Sequence, residues 1–132
     1  MANNIDVITT AYRLAGIITE TEAPSAEQAR DGLRSMNRML LRWNRDGIEL
    51  GYYEQDDLTD ETPVPDDLLD GVEYNLAKRL AGENGQTLDP AVAMEAQESY
   101  DALIRETIED CVADMDHMPG SIRYVYDIGS GR

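Results

Sequence analysis

The chain has 132 residues, with 27 Asp or Glu against 11 Lys or Arg, and its formal net charge at pH 7 is −16. This length fits a single domain, and an apolar content of 42% is enough for one modest core. So large an excess of negative charge repels nucleic-acid phosphates and anionic lipid, which excludes both classes as main ligands.

Signals for export or membrane insertion are missing from the sequence. No apolar run approaches the roughly 20 residues that a membrane-spanning helix needs. Residues 1–8 have neither the basic flank nor the apolar stretch of a signal peptide. A single cysteine, Cys111, cannot form an internal disulfide framework. We therefore expect the chain to be made and folded in a reducing cytoplasm.

Apolar residues at helical spacing predict two helices in the first half of the chain. The first runs from Asn4 to Ala15 and ends at Gly16. The second begins after Ser25, whose spacing to Gln28 is that of a capping box, and continues to about Asp46. Its apolar row consists of Ala29, Leu33, Met36, Leu40 and Trp43.

Residues 48–65 break this pattern with two prolines and a run of acids, which predicts an extended, solvent-facing loop. A third helix is expected to begin near Pro65 and to end at Gly82 or Gly85. Asp89-Pro90 is typical of a helix start, and the last helix should reach about Met115. The sequence thus predicts an all-α fold, an antiparallel bundle of about four helices over residues 1–116, followed by an extended tail over residues 117–132.

The predicted tail alternates large apolar residues with polar or smaller ones, which is the period of a β-strand. A lone strand cannot satisfy its own backbone, so the tail should pair with another surface. Two alternatives are open: it folds back on its own bundle, or it docks on a partner. The residues concerned are Ser121, Ile122, Arg123, Tyr124, Val125, Tyr126, Asp127 and Ile128.

No residue pattern for catalysis or for binding a cofactor or metal is evident. The single histidine, His117, follows the last helix, and Cys111 lies on that helix's apolar side, where a cysteine usually acts as a small hydrophobe. Phosphate-binding loops, zinc spacings and nucleophile elbows are missing, and the clustered acids of residues 56–67 are typical of solvated charge. We therefore expect no enzymatic activity, no cofactor and no metal.

The basic residues are arranged less evenly than the acids. Five arginines occur at steps of four or three along the second helix and form a slanting stripe beside its apolar row. These are Arg30, Arg34, Arg38, Arg42 and Arg45. The stripe could be a solvated face paired with acids of the same chain. It could equally bind the acids of a second copy, because a basic face and acidic faces elsewhere suit head-to-tail assembly into a ring. The candidate acids on the last two helices are Asp70, Glu73, Glu95, Glu98, Glu106 and Glu109.

Part of the sequence resembles the tail accessory factors of short-tailed phages, which are also called head-completion, packaged-DNA stabilisation or head-to-tail adaptor proteins. The best match is LRSMNRMLLRWNRDGIELGYY at residues 33–53, preceded by LAGI at residues 14–17. The acidic loop, the stretch VPDDLLDGVEYNLAKRLA at residues 64–81 and the tail then follow in the family's order.

This resemblance implies a structural virion protein at the head-tail junction, made in the host cytoplasm. Such a protein stays monomeric or loosely associated until it meets the portal protein. Its copies then assemble into a homo-oligomeric ring, a dodecamer that matches the twelvefold symmetry of the portal. The ring would extend the DNA channel, help retain packaged DNA and carry later tail or nozzle proteins. DNA would pass through without sequence-specific binding, and no membrane would be involved. The portal contact would fall on Ser121–Ile128, although this tail is short and has few bases, so we do not expect it to bind DNA.

Two other functions remain open at this level. One is a muramidase-like hydrolase carried in the virion, since some adaptors of this type have been linked to such an activity. The other is an acidic module that binds a basic protein of the host. The first would act on peptidoglycan as a monomer, and the second would form a stoichiometric pair with one host protein.

Overall fold

A computed structural model describes residues 2–115, with side chains described as far as Thr107. Over this range the fold is all-α, as predicted, and no residue in it belongs to a β-strand beyond one isolated bridge between Asn3 and Glu61. The elements are α1 (Asn4–Leu14), α2 (Ala26–Arg45), a 3-10 turn (Asp66–Leu68), α3 (Leu69–Glu83) and α4 (Pro90–Met115). The predicted tail, His117 and the side chain of Cys111 lie outside the described residues.

The start of α2 confirms the capping box. The Ser25 hydroxyl accepts a hydrogen bond from the Gln28 amide at 3.2 Å, and the Gln28 side-chain oxygen accepts one from the Ser25 amide at 2.9 Å. At α4 the Asp89 carboxylate accepts a bond from the Ala91 amide at 2.9 Å. Each bond satisfies a backbone donor that the first turn of a helix leaves without a partner.

The first three helices end in the same hydrogen-bonded motif, in which a glycine follows the cap in a left-handed conformation. After α2, Gly47 has a φ of 99° and its amide bonds to the Asn44 carbonyl, while the Ile48 amide bonds to the Trp43 carbonyl at 2.9 Å. The chain turns sharply here, and Ile48 enters the core. Gly16 and Gly85 occupy the equivalent positions after α1 and α3, so Gly85 rather than Gly82 ends the third helix.

Helix α3 lies at the centre of the bundle and packs against the other three helices. Helices α2 and α4 run antiparallel to α3, whereas α1 runs parallel to it, with Thr10 beside Glu73 and Gly16 beside Gln86. Near its start Gly71 faces Leu103 of α4, whereas Asn75, one turn later, bonds to the carbonyl of Ala96 at 3.1 Å. The core between the helices includes the whole predicted α2 row and four apolar residues of α3. The α3 residues are Leu69, Val72, Leu76 and Leu80.

The acidic loop differs from the prediction, because it is anchored to the bundle rather than solvent-facing throughout. Its buried residues are Ile48, Tyr52, Gln55, Thr62 and Val64. Three backbone hydrogen bonds join the loop to the start of α1, two from the amides of Asn4 and Ile5 at 2.9 Å and one to the carbonyl of Ala2 at 3.0 Å. The acidic side chains of the loop remain exposed, so its negative charges face solvent while its backbone is bonded to the bundle.

Two asparagines complete this anchoring, Asn4, which is buried, and Asn37, which is half-buried. Asn4 donates to the Gln55 side chain at 3.0 Å and to the Asp57 carbonyl at 2.8 Å, and accepts from the Thr62 hydroxyl at 2.8 Å. Asn37 of α2 donates to the Gln55 carbonyl at 2.7 Å and accepts from the Tyr52 phenol. Buried polar groups need hydrogen-bond partners. The two asparagines find theirs in the loop, and these bonds hold the loop against the helices.

Helices α1 and α2 approach closely at Gly32. A Cβ atom at this position would lie 2.5 Å from the Ile8 Cγ2 and 3.1 Å from the Tyr12 Cε2. Ile8 and Tyr12 are both buried and packed in the core, so they have little room to move aside. Glycine therefore lets the two helices pack at this distance.

Gly32→Ala is expected to lower the free energy of unfolding by about 1–3 kcal/mol through this overpacking, even though alanine is the better helix former. The matched control is Gly82→Ala in α3, where nothing lies within 4 Å of the added Cβ. There the same change should raise the free energy of unfolding by up to about 1 kcal/mol. Urea denaturation of both variants checks the sign. Two variants that are stabilised alike would show that α1 and α2 can separate freely at Gly32.

Candidate interaction surfaces

A groove runs along one side of α4, where that helix meets the start of α3. It has a volume of about 280 Å³ and a partly apolar floor formed by Leu68, Ala102 and Leu103. Five exposed carboxylates and no basic residue line it. We call this the acidic groove, and its acids are Asp67, Asp70, Glu95, Glu98 and Glu106.

Glu73 lies one turn after Asp70 and is half-buried. Its burial, reinforced by the charge of Asp70 and opposed by a hydrogen bond from Thr10, raises the pKa of Glu73 above its usual value. Burial is the main cause of this shift, and the nearby negative charge of Asp70 adds to it.

A second pocket, of about 370 Å³, opens between α2, α3 and α4. Its apolar floor includes Trp43 and Tyr100, whose ring centroids lie 5.5 Å apart at an interplanar angle of 54°. Arg42, Lys78 and Arg79 line it, with Asp46 as its one acid. We call this the basic pocket. In a chain of net charge −16, it is a local concentration of positive charge.

The bases of the pocket differ in how firmly the chain holds them. Arg42 lies 3.9 Å from Asp46 with 67% of its side chain exposed, whereas Arg79 is half-buried and donates a hydrogen bond to Glu83 at 3.2 Å. An exposed ion pair such as that of Arg42 contributes little to stability, so Arg42 remains available to a partner, as does the exposed Lys78.

The acidic groove and the basic pocket lie on nearly opposite sides of α4. The groove is lined by six residues of α4, Glu95, Glu98, Ser99, Ala102, Leu103 and Glu106, whereas the pocket is lined by Gln97 and Tyr100 of that helix. At 3.6 residues per turn, the two sets point about 160° apart around the helix axis. The α3–α4 contact, with Ala96 and Leu103 buried in it, lies between them.

The predicted arginine stripe is exposed along its whole length, but its members do not share one environment. Arg30 borders a hollow that also includes Asp56 and Asp57, and Arg34 and Arg38 border a second one beside Glu83. Arg42 lines the basic pocket. Within the stripe's own helix, Arg34 pairs with Asp31 at 2.7 Å.

Four of the six predicted acidic partners come together in the acidic groove, and none of the stripe arginines lines that groove. Glu73 is not among its lining residues, and the side chain of Glu109 lies outside the described residues. Lys78 and Arg79 were missed by sequence reasoning, because single bases on an otherwise mixed helix carry no local signal.

Among the side chains that the structure describes, no group of three or more His, Cys, Asp or Glu residues is placed to hold a metal ion. No helix within residues 2–115 is both long and apolar enough to cross a lipid bilayer.

Nearly the whole chain matches a known protein family. No curated protein matches the chain. A family model for the P22 tail accessory factor matches residues 2–128, which is nearly the whole sequence. The chain therefore belongs to the P22 tail accessory factor family and is a structural protein of the phage virion.

Proposed function

We propose that this protein is a head-to-tail adaptor that assembles as a ring under the portal at the head-tail junction. The ring, a dodecamer in register with the portal, extends the DNA channel, helps retain packaged DNA and carries later tail or nozzle proteins. The observation that carries the proposal is the family match over residues 2–128. It covers the bundle and most of the tail, so it does not rest on one shared motif.

The charge of the chain supports this function. A net charge of −16 gives a channel wall that repels DNA phosphates, and DNA can slide past such a wall without binding to it. The same charge would keep free copies apart in the cytoplasm, because like-charged molecules of this size repel one another. A preformed portal surface then decides when assembly begins.

The tail is the proposed portal contact. Burying Ile122, Tyr124, Tyr126 and Ile128 would contribute about 6–10 kcal/mol. Fixing the backbone of the segment Ser121–Ile128 costs a similar amount, at about 1–2 kcal/mol for each residue. Since the two nearly cancel, the segment should bind only where a partner also satisfies its backbone.

A chain that ends at Pro119 tests this assignment. We expect it to keep its helical circular dichroism and its melting temperature, and to lose binding to the portal protein of the same phage. A matched control ends at Ile128, which keeps the whole proposed contact Ser121–Ile128, and it should bind portal like the parent. Co-sedimentation with assembled portal rings measures both.

The outcomes separate the two parts of the proposal. If the parent protein does not bind portal, the adaptor function is wrong. If the parent and the chain ending at Pro119 bind portal equally, the adaptor function stands and the contact lies elsewhere on the bundle.

A further inference from the structure

We propose that the two sides of α4 form the two halves of one contact between copies, in which the acidic groove of one copy receives the basic pocket of the next. This inference rests on the proposed ring and names the surfaces that close it. It also moves the basic half of the contact away from most of the arginine stripe, to Arg42 together with Lys78 and Arg79 of α3.

Charge complementarity carries the first step. The acidic groove has five carboxylates and no base, whereas the basic pocket has three bases and one acid. The two hollows that Arg30, Arg34 and Arg38 border contain at least as many acids as bases, so neither has the pocket's excess of positive charge. Facing charges of opposite sign would favour this pairing over groove against groove or pocket against pocket.

The position of the two surfaces around α4 carries the second step. A contact that uses the same patch on both copies makes a closed dimer, whereas two different patches make a head-to-tail chain, which closes into a ring when the rotation between copies permits, as a portal template would ensure. Because groove and pocket point about 160° apart, a copy whose groove is occupied still presents its pocket to the next copy. This is the arrangement a ring requires.

The floors of the two surfaces carry the third step. Half-buried apolar side chains line each surface, Leu68 and Ala102 in the groove and Tyr100 in the pocket. Protein contacts commonly have an apolar centre with Trp, Tyr and Arg contributing most, and a charged rim. A flexible polyanion such as DNA could meet the basic pocket, but the acidic groove would repel it.

A charge exchange between copies tests the pairing. The groove variant carries Glu95→Lys and Glu98→Lys, and the pocket variant carries Arg42→Glu and Lys78→Glu. All four residues are exposed, so both variants should fold. Each variant alone should assemble on portal at least about tenfold more weakly than the parent, since like charges then face each other.

An equimolar mixture of the two variants should restore assembly to near the parent level. In the mixture, each altered groove can face an altered pocket, and each native groove a native pocket, so copies alternate around the ring. The control variant, Glu20→Lys with Glu49→Lys, makes the same change in net charge as the groove variant, at exposed acids outside both surfaces, and should assemble like the parent. Native mass spectrometry of the portal complexes counts the copies of each variant.

Variants that assemble alone like the parent, or a mixture that is no better than its components, would overturn the pairing while leaving portal binding by the parent intact. If the parent itself fails to assemble on portal, the proposed function fails. Sedimentation velocity of the free proteins at low salt then decides the pairing separately. Association of the mixture beyond that of either variant supports it, and equal behaviour overturns it.

Discussion

Trp43→Ala is expected to lower the free energy of unfolding by about 3–5 kcal/mol, which is the usual range for removing a buried tryptophan. The side chain is only 7% exposed and closes the apolar row of α2. Its ring packs on Tyr100, so it also links α2 to α4. For a domain whose total stability is about 5–15 kcal/mol, this loss would leave the bundle close to unfolding at ordinary temperature.

Tyr53→Ala is the matched control, because it removes another large aromatic ring from the same half of the chain. Tyr53 is 65% exposed on the acidic loop, so its loss should change stability by less than about 0.5 kcal/mol. Thermal melts followed by circular dichroism compare the two. A Trp43→Ala protein that melts like Tyr53→Ala would mean that Trp43 serves as a contact residue without supporting the fold.

Asn4→Ala should have the next largest effect, lowering the free energy of unfolding by about 2–4 kcal/mol. The side chain is fully buried and holds three partners on the acidic loop. Alanine would leave buried Gln55 and Thr62 without their bonds, and each such group costs about 1–3 kcal/mol. The backbone bonds from Asn4 and Ile5 to the loop would weaken together with them.

Asn44→Ala provides the control at the other end of the same loop. Asn44 makes one side-chain bond there, to the Tyr52 carbonyl at 2.9 Å, so its loss should cost about 0.5–1.5 kcal/mol. Hydrogen exchange of the Asn4 and Ile5 amides gives a second measurement, since both should exchange faster in Asn4→Ala and stay protected in Asn44→Ala. Equal effects of the two substitutions would show that the Asn4 bonds do not hold the loop.

Much of the fold follows from local patterns in the sequence. Ser25 with Gln28, and Asp89 before Pro90, mark helix starts because a cap needs only residues adjacent to the helix. Gly16 and Gly47 mark helix ends because a left-handed residue is required there. All five residues of the row predicted for α2 are buried, because their spacing places them on one face of the helix, but the row omits the buried Met39 beside it.

The tertiary structure alone decided where polar and charged side chains meet. Asn4 is 51 residues from Gln55 and 58 from Thr62, and a loop rich in acids gave no sign that its backbone is held by a buried amide. Similarly, Arg42 comes from α2 and Lys78 from α3, yet they share a pocket on one side of α4. Helical periodicity in the sequence describes one helix at a time. Acidic side chains gather on one side of α4 and basic side chains on the other only because α2, α3 and α4 pack together.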